Sequence, residues 1–454
     1  MKKPVRWIGW TSVGLIAGLL QACDGSDSAQ GAEGGASGSE EVAKAYTELR
    51  SEAAYDTSPD VNDAEYATVI SAINDIGLSL VRGDSSSGRG MVASPFSIAM
   101  GLGMVAAGAD GTTLDELRQV LGKDVDATVM HRALNRMGLE LLSDRVAPHE
   151  DVTAEMTLQV VIEKADAIWL GADTAVVPTY LDLLSSNYDA GAKLISFADE
   201  NAGAAINQWI AEKTNGTISE ILPSGSVSKD TQLVLTDALY VLASWASPFD
   251  RTESAVKSFT TAAGNDVDVT MVHRVGRYAY AQGDDWQMID VPYDGGKLVF
   301  SVILPTLGSF TSVRESIDSG WVANASSLLE AQSVDLSLPK FRIAPSSVSL
   351  KASLEALGIV DAFNCPGANF GKMIASGDPV CVSALYHSAG IGVDESGTEA
   401  SAATTADIVS IGLEPDEPVL PDVTMVVDHP FIFLVREQSG AIVFVGQVLN
   451  PAGG

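Results

Sequence analysis

Cationic residues are scarce in this chain. Lysine and arginine total 27 against 59 aspartates and glutamates, a formal charge of −32 over 454 residues. A surface of that sign repels phosphate backbones, which argues against a nucleic-acid partner. No basic patch of the kind that takes a heparin-like cofactor is visible either. The acidic excess reads as a solubility or salt adaptation. Histidine is scarce too. His131, His149, His273, His387 and His429 complete the set, and none pairs at metal-ligand spacing such as HExxH. The cysteines are Cys23, Cys365 and Cys381. Two cysteines without nearby histidines cannot fill a tetrahedral zinc shell. A GxSxG elbow and a Walker loop are both missing. GDSSSG at 83–88 faintly echoes a protease nucleophile loop, but it follows a helix in a polar loop and reads as loop chemistry. Asp394 and Glu395 are adjacent, so on a strand they point to opposite faces rather than across a cleft. No enzyme constellation and no cofactor is expected.

What is present begins with a signal. Lys2, Lys3 and Arg6 precede an apolar run from Trp7 to Leu20, which ends in Leu20-Gln21-Ala22-Cys23. The run is too short for a comfortable membrane span and suits an export signal over residues 1–23. Its ending resembles a bacterial lipoprotein signal, in which Cys23 would be the lipidated residue; an ordinary cleaved signal is the alternative. Residues 24–60, with stretches such as SDSAQGAEGGASGSEE, hold little that could bury and read as a flexible tether. The expectation is an exported protein, either a cell-envelope lipoprotein or extracellular, touching membrane only through a lipid. In that compartment Cys365 and Cys381 are a disulfide candidate worth roughly 3 kcal/mol; two buried thiols are the alternative.

Residues 61–454 are periodic throughout, without an internal repeat or a second linker. TVISAINDIGLSLVR and SPFSIAMGLGMVAAGA read as helices, the second closely packed by virtue of its glycines and alanines. TTLDELRQVLG offers Thr113 as an N-cap, Glu116 three residues on and Gly122 as a stop. NAGAAINQWIAEKTNG is a further amphipathic helix. TQLVLTDALYVLASW, WQMIDVPYDGGKLVFSVILP, SVDLSLPKFRIAP and TMVVDHPFIFLV read as strands, with YDGGK a hairpin turn. The order predicts an α+β domain with large, mostly antiparallel sheets.

One stretch stands apart. DESGTEASAATTADIVSIG, from Asp394 to Gly412, is long, small and barely charged. Read at period two, one face holds Thr398, Ala400, Ala402, Thr404, Ala406, Ile408 and Ser410. The other holds Glu399, Ser401, Ala403, Thr405, Asp407, Val409 and Ile411, so both charges fall on one side. That is a strand able to bury one face. It lacks bulky residues until its far end, so exposure in one state and insertion in another are both open to it.

GTEASAATTA resembles the hinge of the serpins, inhibitors of serine and cysteine proteases. The resemblance runs from about 64 to 451. SPFSIAMGLGMVAAGADGTTLDEL, INQWIAEKTNGTISEILP, LVLTDALYVLASWASPF, LPKFRIAPSSVSLKASLEALGIVDAF, VSALYHSAGIGVDESGTEA and DHPFIFLVREQSGAIVFVGQVLNP follow in that family's order. The resemblance implies the serpin fold with an exposed reactive-centre loop. It implies a suicide substrate: a protease attacks the loop, forms an acyl-enzyme, and is dragged away as the hinge inserts into the main sheet. The fifteen residues Gly397 to Ile411 span roughly 50 Å when extended. The trap is kinetic, set in a metastable fold.

Residue by residue, the resemblance assigns the hinge to Glu395, Gly397, Thr398, Glu399, Ala400, Ser401, Ala402, Ala403 and Thr404. No proline or charge interrupts Ala400 to Ala406, which favours inhibition. The reactive bond falls between Ile411 and Gly412. An apolar bait suits elastase-like or subtilisin-like pockets. GLEPDEPVLPDV is longer than the family's usual segment, which leaves Val409, Ser410, Leu413 and Glu414 as alternative positions, the last pointing to a glutamate-specific protease. Ser94, Ser97 and His387 match the cluster, or shutter, beneath the opening sheet, with Asp237 where an Asn is usual. A charged partner for His387 would make opening pH-sensitive, a reading that an unchanged insertion rate between roughly pH 5 and 8 would sink; a hydrogen-bonded core cluster is the alternative. Trp245, Lys340 and Glu395 match the breach where the hinge enters, with a Lys340–Glu395 pair worth about 1 kcal/mol or less. The expected partners are serine or cysteine proteases, met by a monomer. The alternative function is a non-inhibitory serpin-fold binding or structural protein.

Overall fold

The computed structural model describes residues 45–84, 88, 90–142, 161–375, 380–398 and 420–453. The signal with Cys23, hinge residues 399–404 and the bond between Ile411 and Gly412 lie outside the described residues. In chain order the first elements are β1 (Tyr46–Leu49), α1 (Asp63–Gly83), β2 (Gly90–Ala93), α2 (Pro95–Gly108), α3 (Gly111–Gly122) and α4 (Ala127–Leu142). Next come β3 (Val161–Lys164), β4 (Ala167–Gly171), α5 (Pro178–Tyr188), β5 (Ala192–Ile195), α6 (Ala202–Lys213) and β6 (Leu233–Ser244). Then follow β7 (Ala255–Thr260), β8 (Asp266–Gln282), β9 (Trp286–Pro292), β10 (Leu298–Pro305), α7 (Phe310–Ser316), α8 (Ser319–Ser327) and β11 (Glu330–Pro339). The last are β12 (Phe341–Ser349), α9 (Lys351–Ala356), β13 (Val382–Val393), β14 (Gly397–Thr398), β15 (Val423–Val426), β16 (Phe431–Glu437) and β17 (Ile442–Val448).

The strands form two sheets. The main sheet runs β1-β5-β4-β6-β14-β13-β12, with β3 also on β6. The second runs β15-β11-β8-β9-β10-β16-β17-β2, with β7 on β8. Most pairs are antiparallel, as the hairpin-rich sequence predicts; β4–β5, β6–β13 and β11–β15 are parallel. YDGGK turns between β9 and β10. Parallel neighbours need long crossovers, and the β6–β13 crossover carries five strands of the second sheet, β7 to β11.

The α2 helix lies behind the main sheet with every one of its residues buried. Its small residues allow that. A Cβ on Gly103 would lie 2.5 Å from the Tyr188 hydroxyl and 2.7 Å from Leu134. Ser94 caps the helix, accepting from the amide of Ser97, and Pro95 starts it with a preset φ.

Two expectations change. The folded body begins sooner than residue 61. YTEL adds β1 to the edge of the main sheet, Tyr46 opposite Ile195 and Leu49 opposite Ala192. Tyr46 packs edge-on against Trp169 at 5.3 Å, Lys193 Nζ is 2.9 Å from Glu48, and the Asp56 amide donates to Ser186. Four alternating residues suffice when a sheet edge waits for them. Thr113 also does not cap α3. Asp110 holds that position. Thr113 is buried and finds tertiary partners instead, donating to Asp361 at 2.6 Å and accepting from the Asn369 amide at 2.9 Å. Glu116 reaches the amides of Val360 and Asp361. Cys365 and Cys381 are joined in a disulfide, their Cα atoms 5.4 Å apart.

Candidate functional site

In the main sheet β6 and β13 run side by side in parallel along a seam. Its lower course is closed: Ala384 pairs with Val234, His387 with Asp237 and Ala389 with Leu239. At the top β14 stands between the two strands. Gly397 pairs with Ser244 and Thr398 with Ala243 on one side, and Thr398 with Val393 on the other. Gly397 has to be glycine here, since a Cβ would lie 2.0 Å from the Ala243 carbonyl oxygen. Thr398 is 3% exposed, its hydroxyl against that of Tyr293.

The turn leading into β14 is held from three sides. Asp394 accepts from the amides of Ser396 at 2.7 Å and Gly397 at 3.2 Å. Trp245 donates its indole N–H to the Asp394 carbonyl at 2.9 Å and its amide to Ser396 at 3.0 Å. That indole stacks on Tyr293 at 4.7 Å and meets Phe249 and Phe300 edge-on. Glu395 receives Lys340 at 2.8 Å and Ser254 at 2.9 Å. Burial pushes its carboxyl up; the hydrogen bonds from Lys340 and Ser254 outweigh that and leave it below the usual carboxylate range.

Lower on the seam, Asp237 and His387 face each other with side chains 0% and 3% exposed. The Ser94 amide donates to His387 Nε2 at 3.0 Å. The ring proton therefore sits on Nδ1, which donates to Asp237 Oδ1 at 2.5 Å. The other Asp237 oxygen is buried and has no partner among the described residues. Ser97 reaches a residue the sequence reading missed: its hydroxyl donates to Asp166 Oδ1 at 3.2 Å. Asp166 lies between β3 and β4, its side chain 3% exposed, with Lys164 Nζ 2.8 Å from its other oxygen. Burial, together with repulsion from Asp237 and against the pull of Lys164, pushes the Asp166 carboxyl up to about 7. A visible signal existed: KADAIWL sets an acid between two alanines in an apolar strand, where acids are costly.

Ser94, Ser97, Asp237 and His387 thus form one buried cluster, and Trp245, Lys340, Glu395, Gly397 and Thr398 meet at the top of the seam. Among the described residues no group of histidines, cysteines and carboxylates could hold a metal ion.

Known proteins match this arrangement. A sequence model of the family described as Serpin (serine protease inhibitor) matches residues 71–451. An uncharacterised serpin-like protein of Thermococcus kodakarensis is 30% identical over 398 residues, 87% of this chain and 88% of its own length. Plasminogen activator inhibitor 1 of Neovison vison is 29% identical, over 81% of this chain and 88% of its own. The native-state crystal structure of tengpin, a thermophilic serpin, superposes with a TM-score of 0.74 at 24% identity, over 88% of this chain and 97% of tengpin. Uncleaved ovalbumin gives 0.71 at 20% identity, over 85% and 100%. Proteins of this kind are generally protease inhibitors rather than enzymes, and on the family match and the relatives together this chain belongs to the serpin family.

Proposed function

We propose that this serpin is a suicide-substrate inhibitor of serine endopeptidases. The observation that carries the reading is the seating of Gly397 and Thr398 as a strand above a seam that is still closed below them. Continued past Thr398, that register would run without a break. Counted down β6 from Thr398 opposite Ala243, Thr404 arrives opposite Asp237; counted down β13 from Thr398 opposite Val393, the same residue arrives opposite His387. The two counts agree because His387 and Asp237 are already partners. Thr398 points inward, so Ala400, Ala402, Thr404 and Ala406 would follow it to the buried side, and Glu399 would face away. Each inserted residue exchanges water contacts for ladder hydrogen bonds on two sides, about 0.5–1.5 kcal/mol apiece. That is the driving force for dragging a tethered protease.

Ile411 as bait, with the bond to Gly412 cut, supports elastase-like or subtilisin-like targets. The basic, apolar and cysteine-ended amino terminus supports export and a lipid on Cys23, with the inhibitor acting as a monomer at the cell envelope or beyond it. The test mixes the chain from residue 44, which keeps β1, with pancreatic elastase and with subtilisin on denaturing gels. A band near the summed mass that survives boiling is expected, and the mass of the released carboxyl-terminal peptide identifies the cut. Clean cleavage without that band across several proteases would overturn the reading in favour of a non-inhibitory binding protein.

A further inference from the structure

Away from the seam, a cavity of about 370 Å³ lies where the end of α2, the start of α4 and the end of α5 meet. It exists because its walls are short: Ala106, Ala107 and Ala127 contribute only methyl groups. It is a hollow open to solvent on one side, with room for about a dozen waters.

Its lining carries cations in a chain where they are scarce. Acids outnumber lysine and arginine 59 to 27, and Arg50, Arg118, Arg136 and Arg436 each hold a carboxylate. Arg132 lines the cavity, half-buried, and makes no ion pair or hydrogen bond among the described residues. Beside it on α4 is His131, 5% exposed. His131 Nδ1 lies 2.5 Å from the Tyr188 hydroxyl. Burial keeps that phenol well above its usual range and holds His131 down at about 4, so Tyr188 keeps its proton and His131 is neutral. A phenol O–H is a stronger donor than a neutral imidazole N–H, so the Tyr188 hydroxyl donates to Nδ1 and the ring proton sits on Nε2. That N–H has no partner among the described residues. Lys372 adds a second cation to the lining, shared with Asp110 at 2.9 Å; Asp56 is the one acid there. The first-turn amide of Thr128 is already taken by Asp126 at 2.8 Å, so side chains rather than helix amides are what the cavity offers.

We propose that this cavity is a binding site for a small organic anion. Its carboxylate or phosphate sits on Arg132 and the Nε2–H of His131, and its uncharged part lies against the alanines of α2. The site is separate from the seam, so it stands or falls independently of protease trapping.

The test is calorimetric titration of the full-length chain with sodium hexanoate and with inorganic phosphate, at ionic strength matched with sodium chloride. Saturable binding is expected for at least one of them, and the stronger of the two names the headgroup. Losing a charge-assisted contact in Arg132→Ala should weaken it by about tenfold or more. Ala127→Leu, which fills the cavity from its rim, should abolish it, while both variants keep the parent melting temperature within a few degrees. No saturable heat up to about 10 mM of either probe, a limit that corresponds to negligible affinity, would overturn the proposal. So would an unchanged affinity in both variants.

Discussion

At the top of the seam β14 stands between the strands, and one contact that holds it reaches water: Lys340 is 38% exposed as it grips Glu395. Further down the same two strands, Asp237 and His387 are sealed from solvent with a second acid, Asp166, beside them. Charges near water are cheap to separate, because solvent replaces what the partner supplied. Buried charges are costly to leave alone. The upper contact therefore suits an entrance that opens, and the lower cluster suits a latch that yields only to something able to replace its bonds. A threonine hydroxyl arriving between Asp237 and His387 meets that description.

The comparison can be broken at several points. Thr398→Arg would force a cation into a position that is 3% exposed. We expect loss of the boiling-resistant protease band, with cleavage continuing, and no gain of thermal stability on cleavage. Trapping by this variant at the parent stoichiometry would refute insertion through β14. Next in size is His387→Leu, which strands the Asp237 carboxylate and the Ser94 amide. Denaturant unfolding should show a loss of about 3–5 kcal/mol, whereas Asp237→Asn, able to keep the Nδ1–H bond, should lose much less.

The third prediction concerns pH. The Asp166 carboxyl is raised in the folded protein, so the folded state holds its proton more tightly than the unfolded chain. Its contribution is fully present below the ordinary aspartate range, about pH 4, and is lost as pH rises through about 7. Asp166→Asn should flatten the stability profile across that window; an identical profile would remove the second acid from the latch. The smallest effect belongs to Glu395. Its carboxyl is lowered, so its contribution is present above the usual glutamate range and fades as pH falls through the folded value. Lys340→Ala should cost about 1 kcal/mol or less at neutral pH, because the pair is partly solvated. A larger loss would mean that the entrance too is a latch.

Much of this was legible beforehand. The apolar spacing of α1, α2 and α6 marks them as helices, and the small-residue run of α2 announces close contact that Gly103 then makes with Tyr188. The alternation after Asp394 sorts an inward from an outward face, and Thr398 lies on the inward one. Thr113 misled because its hydroxyl had better partners in a distant loop than in its own helix. Residues 46–49 looked like tether because four residues bury little by themselves; an open sheet edge makes them a strand. Asp166 escaped notice because its partners come from α2 and from the strand preceding it.

By itself the sequence determined the elements and the acidic balance of the chain, since these rest on local pattern and composition. Only the tertiary structure decided where the seam is closed, that two buried acids lie beside it, and that Gly397 and Thr398 pair between β6 and β13. Those depend mostly on contacts between residues tens to hundreds of positions apart, whose energies are set by burial that no local stretch of sequence reveals.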